Sequence, residues 1–170
     1  MHFVRDTLPQ TEYRKRRRAI VKIIALGNRN AGDDGAAIAA AEQLAFDTTP
    51  APEIIFAGRP GTGLLDLLEG NEPVILLDVV QGSGKPGTIT ILPLSELTQR
   101  LAPTAQTSSH GFGPTEVLSL AKALGRTLPE GYFVGIEGEE FQASNAFSTA
   151  LQQAFLRYVN TIQQMFSRLR

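Results

Sequence analysis

Cysteine is absent from the chain, which excludes disulfides, thiolate metal sites and thiol nucleophiles and is compatible with a reducing cytoplasm. Histidine is scarce: His2 and His110 are the two present. No charge sign dominates, since 16 basic residues stand against 17 acidic ones for a net charge of -1. Nothing global therefore favours nucleic acid or an anionic membrane as partner. No stretch approaches the roughly 20 apolar residues of a membrane span. Internal repeats and low-complexity segments are lacking too.

What is there suits one ordinary globular domain with a single sizeable core, at 170 residues. The N-terminal "EYRKRRRAIVKIIALG" sets a basic run before an apolar one, as a secretory signal does. Its apolar part is short, contains Lys22, and no small-residue cleavage site follows. Residues 1–18 are thus expected to form a flexible basic extension, and residues 19–170 the folded domain. A soluble, cytoplasmic monomer is the expectation.

Apolar runs then alternate with helical patterns. "AIVKIIAL", "EIIFA", "PVILLDVV", "GTITIL" and "YFVGIE" have the β-branched character of strands. The turn-rich "QGSGKPG" between the third and fourth predicts that these two run antiparallel. Between strands, "DDGAAIAAAEQLAF", "TGLLDLLEG" and "PTEVLSLAKALG" have helical spacing, the last with Pro114 near its start and Gly125 past its end. A long loop from Pro93 to Gly113 is expected, with one helical turn around "SELTQRL". Leu151, Phe155, Tyr158, Val159, Ile162, Met165 and Phe166 share one stripe, which predicts a long amphipathic C-terminal helix packed on the sheet.

This order implies an α/β fold: a single doubly wound, three-layer α/β/α domain around a mostly parallel, twisted five-stranded sheet. If the strand order begins 2-1-3, the C-terminal ends of the first and third strands flank the ligand crevice of such folds. Asp34, in "GNRNAGDDG" after the first strand, and Asp78, ending the third, would then meet there.

Phosphate chemistry does not suit that crevice. Gly27 and Gly32 have the spacing of P-loop glycines, but Asp33 stands in the lysine position and no hydroxyl follows it. "GRPGTG" is not a dinucleotide fingerprint, and Ser108 or Ser109 beside His110 lacks the GxSxG elbow of a serine hydrolase. What remains is carboxylate and imidazole. An acid ending an apolar strand is costly to bury unless paired or ligated. Asp34, Asp78 and His110 form an O,O,N set with open positions, suited to a borderline divalent metal. Without a metal, close carboxylates would push one pKa up, as in an acid–base dyad. Spacing leaves both outcomes open.

"GNRNAGDDG", "VILLDVV...GKPGTI", "SSHGFGPTEVLSLAKALG" and "VGIE", in that order, resemble the hydrogenase maturation protease family from about Ile20 to the C-terminal helix. The resemblance implies a nickel-dependent endopeptidase. Such an enzyme removes the C-terminal extension of a nickel–iron hydrogenase large-subunit precursor after its metal centre is assembled. It places Asp34, Asp78 and His110 in a nickel-contacting, catalytic cluster, the nickel being presented by the substrate. It also gives Asn28 and Asp33 the role of shaping the loop, with Asp33 as a possible cap of the helix. One departure is Gln81, where relatives commonly carry a second acid. A non-catalytic, nickel-recognising assembly factor and an α/β peptidase with another substrate are the alternatives.

Overall fold

The computed structural model describes residues 20–82, 84–100 and 113–170. The basic extension and His110 lie outside the described residues, as does most of the segment between Arg100 and Gly113.

β1 (Lys22–Leu26) is apolar after its first residue and is an inner strand of the sheet. A 3-10 turn, Gly32–Gly35, leads from it into α1 (Ala36–Asp47). β2 (Glu53–Gly58) is followed by the short α2 (Leu64–Leu67), and then by β3 (Val74–Val80). β4 (Ile89–Pro93), α3 (Leu97–Arg100), α4 (Pro114–Ala123), β5 (Gly131–Glu137) and α5 (Thr149–Leu169) complete the described elements. The sheet order is β2-β1-β3-β5-β4, parallel except for β4. The expected 2-1-3 beginning is present.

β4 runs antiparallel to β3, as expected, but does not lie beside it: β5 stands between them, parallel to β3 from Val74↔Gly131 to Val80↔Glu137, and β4 pairs antiparallel with β5. The physical reason lies in burial. β3 is buried over Val74–Leu77, as an inner strand of a covered parallel sheet should be. β4 is mostly half-buried and ends in Pro93, which suits an edge.

Alternating strand residues feed two cores. Ile23, Ala25, Ile75, Leu77, Val134 and Ile136 pack with α1 and α5 on one face. Ile24, Leu26, Val74, Leu76, Leu92 and Phe133 pack with α2, α3 and α4 on the other. The α5 stripe is buried as expected apart from half-buried Phe155. Tyr158, fully buried on that stripe, donates its hydroxyl to the Val134 carbonyl at 2.9 Å. Each large aliphatic or aromatic side chain buried here contributes about 1.5–3 kcal/mol. α5 starts at Ser148, whose Oγ accepts from the Leu151 amide at 3.2 Å.

Candidate active site

Gly27 follows β1 with φ +113, a conformation that L side chains rarely adopt. A Cβ here would also run into the Asp34 carbonyl oxygen. Glycine thus lets the acid-bearing turn fold back onto the strand end. Gly32, at φ +57, does the same against the loop before α5, where a Cβ would stand 2.5 Å from the Glu140 carbonyl oxygen. Between them Asn28 forms a local turn, its Oδ1 accepting from the Asn30 amide at 3.0 Å.

The two adjacent aspartates have different surroundings. Asp33 is fully buried. Its Oδ1 accepts from the Ser148 amide at 2.7 Å, and its Oδ2 from the amides of Glu139 at 2.9 Å and Glu140 at 3.1 Å. Burial alone would push its carboxyl up. The Glu139, Ser148 and Glu140 amides and the Ser148 hydroxyl outweigh that and hold it below the usual carboxylate range. Asp33 does not cap its own helix, because its acceptors are spent on the entry to α5. It ties its own turn to the segment that leads into α5.

Asp34, in the 3-10 turn after β1, has its side chain 9% exposed. Its Oδ2 accepts from the Asn28 amide at 2.9 Å and from Arg59 Nη2 at 2.8 Å. Its Oδ1 takes no hydrogen bond from the described residues. Asp78, half-buried near the end of β3, accepts at Oδ1 from the Val79 amide at 2.9 Å. Burial pushes its carboxyl up to about 7. The Val79 amide opposes that rise, the Asp34 charge adds to it, and Arg59 pulls it back. Asp34, Asp78 and Arg59 thus act on one another electrostatically at one end of the sheet.

Sequence reasoning brought Asp34 and Asp78 together correctly and missed Arg59. Arg59 follows β2, and the Gly27 amide donates to the Gly58 carbonyl at 2.9 Å, tying its loop to the acid-bearing turn. The one available signal was its position after the second strand, on the same sheet end. Gln81 is exposed in the loop after β3. In that region the Glu137 carboxylate accepts from the Gly82 amide at 3.0 Å.

His110 lies outside the described residues, so the expected triad is represented here by its two acids. Among the described residues no three His, Asp or Glu side chains are grouped to hold a metal ion. Two carboxylate oxygens without described partners, Asp34 Oδ1 and Asp78 Oδ2, are hard donors of the kind that an imidazole would complete for a divalent cation.

The raised Asp78 pKa has a consequence for stability. Unfolded aspartate titrates near 3.9, so between about pH 4 and 7 the folded chain binds the extra proton. The Asp78 contribution is therefore most favourable at the acid end, declines as pH rises through about 7, and is level above that. Asp78→Asn should remove this slope from melting temperature plotted against pH between 4.5 and 7.5. Parallel wild-type and variant curves would count against it. Asp33 works in the opposite sense: its contribution is present above the ordinary aspartate range and is lost as pH falls through its lowered pKa.

The family model described as hydrogenase maturation protease matches residues 38–166, a segment that contains Asp78 and His110 and starts just after Asp34. No curated protein matches the chain. Among solved structures, the hydrogenase maturating endopeptidase HybD from E. coli superposes with a TM-score of 0.65 at 19% identity, covering 87% of this chain and 92% of that one. HybD from Thermococcus kodakarensis gives 0.63 at 22%, covering 85% and 97%. The hydrogenase 2 maturation peptidase from a Thaumarchaeota archaeon gives 0.56 at 25%, covering 85% and 95%. The described fold is thus shared along most of each chain.

Proposed function

Since the chain belongs to the hydrogenase maturation protease family and is an endopeptidase of hydrogenase maturation, we propose that it removes the C-terminal extension of a nickel–iron hydrogenase large-subunit precursor in the cytoplasm. Cleavage follows assembly of the precursor's metal centre, and the nickel belongs to the substrate. Among the described residues no helix is long and apolar enough to cross a membrane.

The observation that carries this reading is that Asp34, after β1, and Asp78, near the end of β3, act on each other, each with a carboxylate oxygen free of described partners. Such oxygens, with His110, offer ligands to a metal that arrives on another protein. Anchoring by that metal converts attack on the scissile peptide into an oriented, effectively intramolecular step. One of the same carboxylates then accepts a proton from the attacking water. Nickel favours the ionised form of Asp78, so docking near neutral pH releases a proton. An unloaded precursor lacks the anchor and binds less well, which makes cleavage a checkpoint on metal assembly.

The test is the mass of the large subunit. Purified protein incubated with nickel-loaded precursor should yield a shorter large subunit, and nickel-free precursor should keep its full mass. A stable complex without a shorter product would instead mark a non-catalytic assembly factor, and equal cleavage of both precursors would remove nickel from the reading.

A further inference from the structure

The ion pair at Asp34 is unusual in its two halves: the carboxylate is 9% exposed and its guanidinium partner 53% exposed. A backbone amide, that of Asn28, fixes one side of Oδ2 at 2.9 Å, while the cation on the other side, at 2.8 Å, sits on a long side chain reaching in from solvent. The loop carrying Arg59 is anchored at Gly58 by the Gly27 amide, and Gly58 adopts φ +63 immediately before it. The anchor holds the backbone beside the turn while leaving the side chain free to move outward. Arg59 also acts on Asp78, so its charge bears on both carboxylates.

A divalent cation that takes either oxygen of Asp34 meets this guanidinium at close range. Like charges there repel, so the metal binds less well or Arg59 leaves Oδ2 for solvent. We propose that Arg59 is a positioning residue that acts through Asp34, as a displaceable internal counterion of the metal-docking carboxylate. This rests on the reading of Asp34 as a docking ligand. With Arg59 in place the carboxylate is already neutralised, and a free ion has little to gain by displacing it. A metal carried on a precursor brings the contacts of a whole protein surface, which offset that exchange. Arg59 thereby biases the site against free ions and towards metal on its protein carrier.

The experiment is a calorimetric titration of the full chain with Ni2+ alone, comparing wild type, Arg59→Gln, Arg59→Lys and the double variant Asp34→Ala/Arg59→Gln. Removing a charge-assisted partner should tighten nickel binding by about tenfold in Arg59→Gln. Arg59→Lys should stay nearer wild type because it keeps the charge, and the double variant should lose the gain. A merely structural Arg59 would change the melting temperature without tightening nickel binding. Equal or weaker affinity in Arg59→Gln, or no binding by either protein at millimolar nickel, overturns the inference. If in addition Asp34→Ala cannot cleave nickel-loaded precursor, only the counterion role is lost. If Asp34→Ala cleaves at the wild-type rate, the docking reading itself falls and takes the inference with it.

Discussion

Asp34→Asn should cleave nickel-loaded precursor at least about 100-fold more slowly than wild type, with only a small change in melting temperature. The size follows from comparison: losing a partner that merely orients a ligand already costs about 10–100-fold in metal affinity or activity, and losing a docking ligand costs more. The fold should tolerate the change because the Asn carbonyl still accepts from the Asn28 amide, while the pair with half-exposed Arg59 is screened by solvent. A stability loss near 1 kcal/mol moves the melting temperature of a domain this size by about 2–4 °C. Single-turnover cleavage followed by mass, alongside a thermal melt, separates the two effects. Wild-type cleavage by a folded Asp34→Asn would remove Asp34 from the site.

Asp33→Ala should do the reverse in kind, unfolding the domain rather than disarming it. It would leave the Ser148 amide, in a buried bond, and the Glu139 and Glu140 amides, in half-buried ones, without their acceptor. A buried donor left unsatisfied costs about 1–3 kcal/mol, so losing three partners at one spot should destabilise by about 3–5 kcal/mol. That corresponds to a fall of about 6–20 °C in melting temperature. Asp33→Asn keeps one acceptor oxygen and should recover part of the loss. Melts of both variants check the assignment, and an Asp33→Ala melt within about 2 °C of wild type would show that this clasp does not hold the entry to α5.

These opposite expectations for neighbouring, chemically identical residues show where sequence reading stops. "GDDG" announces two acids at a helix start, and the resemblance gave Asp34 the ligand role and Asp33 the supporting one. The structure supplies a physical basis for that division. The amides held by Asp33 come from 106 to 115 residues away along the chain. Nothing in the local pattern contains them. Arg59 was missed for a similar reason, since its partner is 25 residues distant and is reached through a contact between two loops.

The place of β4 in the sheet follows the same logic. Turn residues after β3 speak for a reversal of chain direction, and the chain does reverse. They do not say which strand lies beside which, because pairing is decided by burial on both faces of the sheet, and β5 outcompetes β4 for the inner place next to β3. The sequence by itself determined the alternation of strands and helices, the buried stripe of α5 and the shared sheet end of Asp34 and Asp78. Period-2 and period-3.6 patterning and the 2-1-3 crossover rule are properties of neighbouring residues and chirality. Only the tertiary structure decided the edge position of β4, the partners of each aspartate and the entry of Arg59. Those depend on which distant backbone donors and charges the finished packing brings within hydrogen-bonding reach.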